Sequence, residues 1–376
     1  MLRSLLLAAA VVAGAVPAFA QTIEIQARQA YIVDMKTGTV LLDKNSDELM
    51  PPSSMSKMMT AHMLFEKLQK GEVKLTDEFP VSEKAWRIQG SKMFVPLGGR
   101  VKVEDLIRGI VIQSGNDACV VVAEALAGSE EAFAEQMTKK ARELGLTKTV
   151  FKNASGWPHP EHLTTARELA LLAKHTIEAY PEYYKYYAEL NYTYNGIKQG
   201  NRNPLLYKPL GADGLKTGHT EIAGYGLTAS VKRGERRIIM VLNGLPSMKA
   251  RAQESENLID WSFREWENYA LFKQGETVQS AGVWLGDAKN VSLQAGENLE
   301  VTLPRKARQG MKVTAVFQEP IPAPIQKGQT VGKLTIAAPG VQTRELPLIA
   351  GEAVGQLGPA GRIGAAVSYL IFGQQK

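Results

Sequence analysis

Cysteine and histidine are scarce in this chain, which has one cysteine and five histidines among 376 residues. A single cysteine excludes an intramolecular disulfide, so the stability of the fold must come from buried apolar side chains. Cys119 itself, which follows small residues, is interpreted as a buried structural thiol. No cluster of carboxylates or thiols accompanies His159 and His162, which are interpreted as histidines of a surface loop. The sequence therefore predicts neither a metal site nor a cofactor.

Long runs of one charge are also absent. The formal net charge of +6 is spread along the chain, apart from a short basic run at residues 305–308. This charge favours a weak attraction to anionic surfaces of the cell envelope, but no nucleic-acid motif is present, and nucleic-acid binding is not expected. Hydrophobic residues make up 44% of the chain, which is enough for a large core and, at this length, for two or three domains.

Residues 1–20 have the pattern of a secretory signal peptide. Arg3 gives a basic start, an apolar run follows at residues 4–12, and Ala18-Phe19-Ala20 is a small-x-small cleavage site. A membrane span is the alternative, but the apolar run is short and ends at Pro17. We therefore predict an exported protein whose mature chain begins near residue 21.

Residues 21–273 predict an α+β domain, in which helices pack on one antiparallel sheet. Strand-like runs joined by turn residues predict a hairpin at each end of the domain, with strands at residues 30–34, 39–43, 225–231 and 237–242. Residues 75–102 are expected to form loops and short strands. Helical spacing and capping residues, including a capping box of Thr165 and Glu168, predict helices at residues 54–69, 103–113, 118–126, 129–145, 165–179 and 254–271.

The pattern changes after Gly275. Short alternating segments, interrupted by glycine and proline, predict a small all-β sandwich domain over residues 274–352, with no visible chemistry. Residues 353–376 contain a C-terminal amphipathic helix pattern that is too short to span a bilayer. This tail fits a membrane-surface anchor and a helix packed on the sandwich equally well.

Ser54 and Lys57 are the first candidates for chemistry. They stand one turn apart at the start of an apolar helix, so a hydroxyl and an amine share one face. A lysine can accept the proton of a nucleophilic serine if burial or nearby positive charge lowers its pKa from about 10.4 towards neutrality. The S-x-x-K pattern alone is weak, because it is expected on the order of once by chance in a chain of this length.

Two further motifs follow in order. Ser114-Gly115-Asn116 lies between two apolar helices, and Lys216-Thr217-Gly218 lies on a predicted strand, followed by His219. An earlier Lys36-Thr37-Gly38 precedes Ser54 and falls at a hairpin turn, so it is interpreted as turn chemistry only. Taken singly, Ser114 could be a helix cap, Asn116 a turn residue, and Arg202 a surface charge on a loop.

The three motifs, in this order and context, resemble the set of the penicillin-binding proteins and serine β-lactamases. The β-rich domain and the tail extend the similarity over nearly the whole chain after the signal peptide, to the class C low-molecular-mass penicillin-binding proteins, the D-alanyl-D-alanine carboxypeptidases. The resemblance implies a β-lactamase/transpeptidase-like catalytic domain. It also implies removal of the terminal D-alanine from peptidoglycan pentapeptide stems, covalent inhibition by β-lactam antibiotics, and a periplasmic location peripheral to the inner membrane.

Side-chain chemistry and this resemblance together give each candidate a role. Ser54 is the expected nucleophile, Lys57 its base, and Ser114 a proton relay. Asn116 is expected to bind the substrate peptide or the Lys57 amine. Lys216 is expected to add positive charge, and Thr217 and Arg202 suit the free carboxylate of the substrate. His219 is expected to supply a backbone N–H to the oxyanion hole. The full set of expected substrate-binding residues is Asn116, Lys216, Thr217, Gly218, His219 and Arg202.

Two other interpretations stay open at this point. A class A β-lactamase would need a glutamate and asparagine pair after the second motif, and residues 161–165 lack the asparagine. A non-catalytic peptidoglycan-binding or scaffolding protein could keep the fold, although binding alone would not require all the polar residues of the chemistry at once. The tail has fewer aromatic and charged residues than anchors of this family usually carry.

Overall fold

The structure is a computed structural model of the chain that describes residues 23–339 and 341–372. The predicted signal peptide at residues 1–20 lies outside the described residues. The chain divides into two compact units, one formed by Glu24–Trp266 and one that contains the residues from Glu267 onward.

The first unit contains both strands and helices. They are β1 (Gln29–Asp34), β2 (Val40–Lys44), α1 (Lys57–Gln69), β3 (Glu78–Pro80), α2 (Glu83–Arg87), β4 (Arg100–Lys102), α3 (Val103–Val111), α4 (Asn116–Ala127), α5 (Glu130–Glu143), α6 (Ala166–Ala179), α7 (Pro181–Tyr184), β5 (Asn191–Tyr194), β6 (Ile197–Gly200), β7 (Ala212–Thr220), β8 (Gly224–Arg233), β9 (Arg236–Leu245) and α8 (Met248–Glu265).

A five-stranded antiparallel sheet of order β2-β1-β9-β8-β7 is the centre of this unit, as predicted. Because β1 pairs with β9, the hairpin at the start of this unit lies beside the hairpin of β8 and β9 near its end. On β9, Ile239 and Val241 belong to the main core, while the alternate residues Met240 and Leu242 are also buried and must face the opposite side. Helix α8 contacts β8 and β9, so helices cover both faces of the sheet.

Several boundaries differ from the predictions. The last helix of the unit, α8, begins six residues before the predicted Glu254, capped by Ser247, and ends at Glu265, because the aromatic residues that follow enter strand β10. Helix α2 lies in a segment predicted to contain only loops and strands. The cap at Thr165 is confirmed, but the Glu168 carboxylate accepts from the backbone N–H of Lys148 instead of completing the capping box.

The described part of the second unit consists mainly of strands, with a 3-10 helix at Arg305–Gly310 and an α-helix after the last strand. Its elements are β10 (Trp266–Phe272), β11 (Thr277–Trp284), β12 (Asn290–Ala295), β13 (Leu299–Pro304), β14 (Lys312–Phe317), β15 (Ile321–Pro322), β16 (Thr330–Ala338), β17 (Val341–Ala350) and α9 (Pro359–Phe372). A six-stranded sheet, β14-β16-β17-β12-β11-β15, and a two-stranded sheet, β10-β13, confirm the predicted all-β domain.

Two small apolar clusters form the core of the second unit. One contains Val291, Leu293 and Leu348, and the other contains Leu299 and Val301, with their neighbours. The predicted C-terminal helix is present as α9. Of the helices that the structure describes, none is both long enough and apolar enough to cross a bilayer.

Candidate active site

Ser54 lies in a short 3-10 turn, Ser53–Ser56, that leads directly into α1. We call this segment the nucleophile turn. The first residue of α1 is Lys57, whose side chain is fully buried, and its Nζ lies 2.9 Å from the Oγ of Ser54. The predicted spacing of one helical turn therefore does place the hydroxyl and the amine in contact.

The Lys57 amine donates to three oxygen atoms, none of them a carboxylate oxygen. They are Ser54 Oγ at 2.9 Å, Asn116 Oδ1 at 2.8 Å and the carbonyl oxygen of Ser155 at 2.6 Å. Burial disfavours the ammonium form and, with help from the positive charge of Arg202, lowers the pKa of Lys57 to about 8. A lysine in this setting loses its proton much more readily than an exposed lysine does.

Ser114 and Lys216 form the second polar pair of the site. The Nζ of Lys216 lies 3.0 Å from Ser114 Oγ, and Ser114 adopts a left-handed backbone conformation with φ of 61°. Ser114 is not a helix cap, because α4 begins at Asn116 with Gly115 in the N-cap position. Burial and repulsion from Lys57 lower the pKa of Lys216 well below its ordinary value, so the two amines do not both hold their protons tightly.

Asn116 is a structural hub as well as a partner of Lys57. Its side-chain Nδ2 donates to the carbonyl of Gln89 and its backbone N–H donates to the carbonyl of Ser91, each at 2.7 Å. The next residue, Asp117, accepts from the backbone N–H groups of residues 93–95. These bonds fix residues 89–95 on the start of α4. Of the two partners expected for Asn116, the structure provides the Lys57 amine.

Strand β7 carries the third motif past the nucleophile turn. A Cβ atom on Gly218 would lie 2.9 Å from the carbonyl oxygen of Pro52, so the close approach of strand and turn depends on glycine here. Thr217 is buried, and His219 is exposed with its ring stacked on Tyr225 at 3.9 Å between centroids. The turn and the strand therefore bring the first and third motifs together.

Arg202 lies at the edge of the site. It is exposed, and its Nη1 donates to Ser91 Oγ at 2.7 Å. Ser91 is not one of the predicted catalytic or substrate-binding residues. The next residue, Asn203, donates to the carbonyl of Gly214 and holds this segment beside β7. Arg202 nevertheless acts on the site through its charge, which lowers the pKa of both Lys57 and Lys216.

The loop at residues 153–163, which carries His159 and His162, reaches the centre of the site. Besides the Ser155 carbonyl, it contributes His162, whose Nε2 lies 2.9 Å from Ser56 Oγ. The interpretation of His162 as a surface histidine is wrong, because the side chain is buried. Sequence reasoning missed both contacts, since a backbone carbonyl has no signature in the sequence and a lone histidine in a polar loop indicates neither burial nor a partner.

The other sequence predictions concern groups outside this network. Burial raises the pKa of Cys119 to about 12, so the thiol stays protonated and unreactive at neutral pH. Among the described residues, no group of three or more His, Cys, Asp or Glu side chains is arranged to hold a metal ion.

Comparison with known families identifies the chain. A family model described as D-alanyl-D-alanine carboxypeptidase matches residues 15–246. The chain belongs to the D-alanyl-D-alanine carboxypeptidase family. A second model, described as the C-terminal domain of penicillin-binding protein 5, matches residues 266–356 of this family member.

Individual relatives of this carboxypeptidase agree with the family models. The chain is 40% identical over 354 residues to D-alanyl-D-alanine carboxypeptidase DacC of Escherichia coli, a match that covers 91% of this chain and 88% of the relative. Penicillin-binding protein 5 of Haemophilus influenzae superposes with a TM-score of 0.79 at 35% identity, covering 89% of this chain and 99% of that structure. The ampicillin-bound form of penicillin-binding protein D2 of Listeria monocytogenes gives a TM-score of 0.59 at 28% identity, covering 64% of this chain and 99% of that structure.

These matches confirm the predicted resemblance and the predicted enzyme class, a serine-type D-alanyl-D-alanine carboxypeptidase of the penicillin-binding proteins. They favour this class over the interpretations as a class A β-lactamase or a non-catalytic scaffold.

Proposed function

We propose that Ser54 is the nucleophile of this D-alanyl-D-alanine carboxypeptidase and that Lys57 is its general base. The observation that carries the proposal is the 2.9 Å contact between Ser54 Oγ and the buried Lys57 amine. General-base catalysis is most efficient when the pKa of the base lies near the working pH, and the pKa of Lys57 is lowered to about 8.

Acylation then proceeds by attack of Ser54 Oγ on the carbonyl carbon of the penultimate D-alanine of a peptidoglycan pentapeptide. Lys57 takes the hydroxyl proton as the C–O bond forms. The peptide C–N bond breaks, and the leaving amine of the terminal D-alanine receives a proton through Ser114, whose hydroxyl is 3.0 Å from Lys216 Nζ. Because the pKa of Lys216 is lowered, this amine can give up a proton at neutral pH.

The remaining predicted residues are proposed to bind the substrate. The backbone N–H groups of Ser54 and His219 would stabilise the oxyanion, a role worth several kcal/mol when the donors are preorganised. Thr217 and Arg202 would bind the free carboxylate of the substrate, Arg202 through its planar guanidinium. Gly218 would let the substrate and β7 approach the nucleophile turn, and Asn116 would hold Lys57.

Hydrolysis of the acyl-enzyme completes the reaction. A water molecule attacks the ester carbonyl carbon, and a base in the site takes a proton from the water. The bond between this carbon and Ser54 Oγ breaks, Ser54 Oγ takes back the proton that Lys57 accepted, and the tetrapeptide is released with a new carboxylate. A β-lactam that acylates Ser54 in the same way would stay bound for as long as this step is slow, which makes the β-lactam a covalent inhibitor.

The cellular setting is proposed from the ends of the chain. The signal-peptide pattern at residues 1–20 would export the protein to the periplasm, where its pentapeptide substrate lies. Helix α9 exposes Ile363 and Val367, which could contact a membrane surface, so we propose peripheral attachment to the outer face of the inner membrane. Membrane association that is unchanged after deletion of residues 355–376 would contradict this attachment.

The central test is a covalent-labelling experiment. The mature protein is incubated with benzylpenicillin, its intact mass is measured, the labelled peptide is sequenced, and release of D-alanine from a pentapeptide is assayed. We expect one adduct, on Ser54, and D-alanine release that is lost in Ser54→Ala. An adduct on another residue would reject the proposed nucleophile. A fast and steady turnover of benzylpenicillin would favour the β-lactamase interpretation, and the absence of both adduct and release would favour the scaffold.

A further inference from the structure

The loop at residues 153–163 is fastened to the start of α1 at two places. At its near end, Thr60 Oγ1 donates to the carbonyl oxygen of Ala154 at 2.6 Å. At its far end, His162 Nε2 lies 2.9 Å from the Oγ of Ser56, and both side chains are buried. Between these two contacts, the Ser155 carbonyl accepts from Lys57 at 2.6 Å. Because Ser56 immediately precedes Lys57, the contact between His162 and Ser56 lies directly beside the proposed base.

The hydrogen bonds of His162 define its tautomer. Its Nδ1 lies 3.3 Å from the backbone nitrogen of Lys152, which can only donate, so Nδ1 must be unprotonated. The ring proton is therefore on Nε2, and His162 donates to Ser56. Burial lowers the pKa of His162 to about 4, so this neutral form holds throughout the physiological range.

The geometry of the Lys57 amine explains why this loop matters for catalysis. A neutral amine has two N–H bonds and one lone pair. When Asn116 Oδ1 and the Ser155 carbonyl accept the two hydrogens, the lone pair is left for the hydroxyl proton of Ser54. If the Ser155 carbonyl moves away, the amine is free to rotate and water can reach it.

The packing between loop and nucleophile turn makes this arrangement sensitive to small movements. A Cβ atom on Gly156 would lie 1.8 Å from the carbonyl oxygen of Ser53 and 2.9 Å from Ser56 Oγ, so the two backbones are in direct contact. We propose that His162 is a positioning residue, which holds the loop on the nucleophile turn through Ser56 and so keeps the Ser155 carbonyl on the Lys57 amine. This inference rests on the proposed function, because it requires Lys57 to be the base.

The charged and titratable groups around the pair determine the expected pH effect. His162 faces His159 of its own loop and Lys57 of α1. Lys57 in turn faces Cys119 and Asp117 of α4, Glu130 of α5, Lys216 of β7, and Arg202. Removing the His162 contact changes none of these groups, but it admits water to the amine. Water stabilises the ammonium, so the pKa of Lys57 rises and a neutral base is available only at higher pH.

The test compares His162→Leu, Ser56→Ala, the double variant and His162→Gln, with His159→Gln as the matched control on an exposed position of the same loop. The second-order rate constant of acylation by a fluorescent penicillin is measured from pH 5.5 to 10. We expect His162→Leu and Ser56→Ala each to lower it about tenfold to a hundredfold and to move its rise to higher pH. The double variant should be no slower than the slower single variant, because both changes break one contact. His162→Gln, whose amide can still donate to Ser56, should recover part of the rate.

Other outcomes overturn the inference. If His162→Leu and Ser56→Ala lower only the melting temperature and leave the rate and its pH profile unchanged, His162 serves packing alone. Losses that add in the double variant would also reject a shared contact. Where His162→Leu does not fold, Ser56→Ala and His162→Gln decide the question by the same two readouts. The adduct on Ser54 and the acylation rate of Lys57→Met test the proposed nucleophile and base separately, so failure of the proposed function cannot be mistaken for failure of the loop contact.

Discussion

The two units of the molecule bury different kinds of side chain. The first unit buries Lys57 completely and Lys216 almost completely. It also buries Arg251, whose Nε has no hydrogen-bond partner among the described residues. In the described part of the second unit, buried positions are apolar except for Thr302, whose hydroxyl donates to Asn268. Burying a cation is costly unless it is paired, and none of the three oxygen atoms that Lys57 contacts belongs to a carboxylate. The difference supports the proposal that Lys57 and Lys216 are kept buried for chemistry, while the buried side chains of the second unit serve its stability.

The largest effect is expected from removing the buried amine of Lys57. Lys57→Met fits the same volume but cannot accept the proton of Ser54, and general-base catalysis typically contributes about 10²- to 10⁴-fold. We expect acylation by benzylpenicillin to slow by a factor in this range, measured by stopped-flow quenching of protein fluorescence. The matched control is Lys67→Met, on the same helix, where the lysine is exposed in an ion pair with Glu72. Equal acylation rates in Lys57→Met and Lys67→Met would mean that the buried amine does not contribute to catalysis.

A smaller effect is expected at the second buried amine. Lys216→Met removes the partner of the Ser114 hydroxyl, and we expect D-alanine release from a pentapeptide to fall about a hundredfold, as for the loss of one preorganised polar contact in a dry site. The control is Lys208→Met, an exposed lysine paired with Glu256. If Lys216→Met kept wild-type turnover, the proton relay through Ser114 would have to be abandoned.

The pH dependence of acylation tests the lowered pKa of Lys57 directly. A lysine acts as a base only when it is deprotonated, so the rate should rise with pH, up to tenfold per unit, and stop rising near pH 8. An ordinary lysine would give a rise that continues to about pH 10.4. The measurement is the acylation rate constant from pH 5.5 to 10, at constant ionic strength. A rate that is flat over this range would show that Lys57 does not titrate as the base.

The sequence was sufficient for the fold wherever a local pattern determines it. Both hairpins of the first sheet follow from short runs of strand-forming residues on either side of a turn, and the order of the three motifs follows from the sequence itself. The predicted end of α8 at residue 271 was wrong, because Trp266 and Tyr269 fit an apolar helical face and a strand equally well. Only the pairing of β10 with β13 decides between helix and strand here.

For the candidate site, the sequence supplied side chains but not their surroundings. The contact of Ser54 with Lys57 could be predicted, because a spacing of three residues determines it. The carbonyl of Ser155 and the burial of His162 could not, because both depend on how a distant loop packs against the nucleophile turn. Long-range packing of backbone groups leaves no pattern in the chain.

The smallest effect on activity is expected from the core of the second unit. Leu293 is fully buried there, and Leu293→Ala should lower the free energy of unfolding by about 2–5 kcal/mol through lost burial and a cavity. Turnover of pentapeptide at 25 °C should stay at the wild-type value, because no predicted catalytic residue lies in this unit.

Val316→Ala, at an exposed position of the same unit, is the control and should change neither the free energy of unfolding nor the turnover measurably. Urea unfolding and D-alanine release are measured on the same preparations. A loss of turnover that follows the loss of stability would break the contrast between a unit built for chemistry and a unit built for stability.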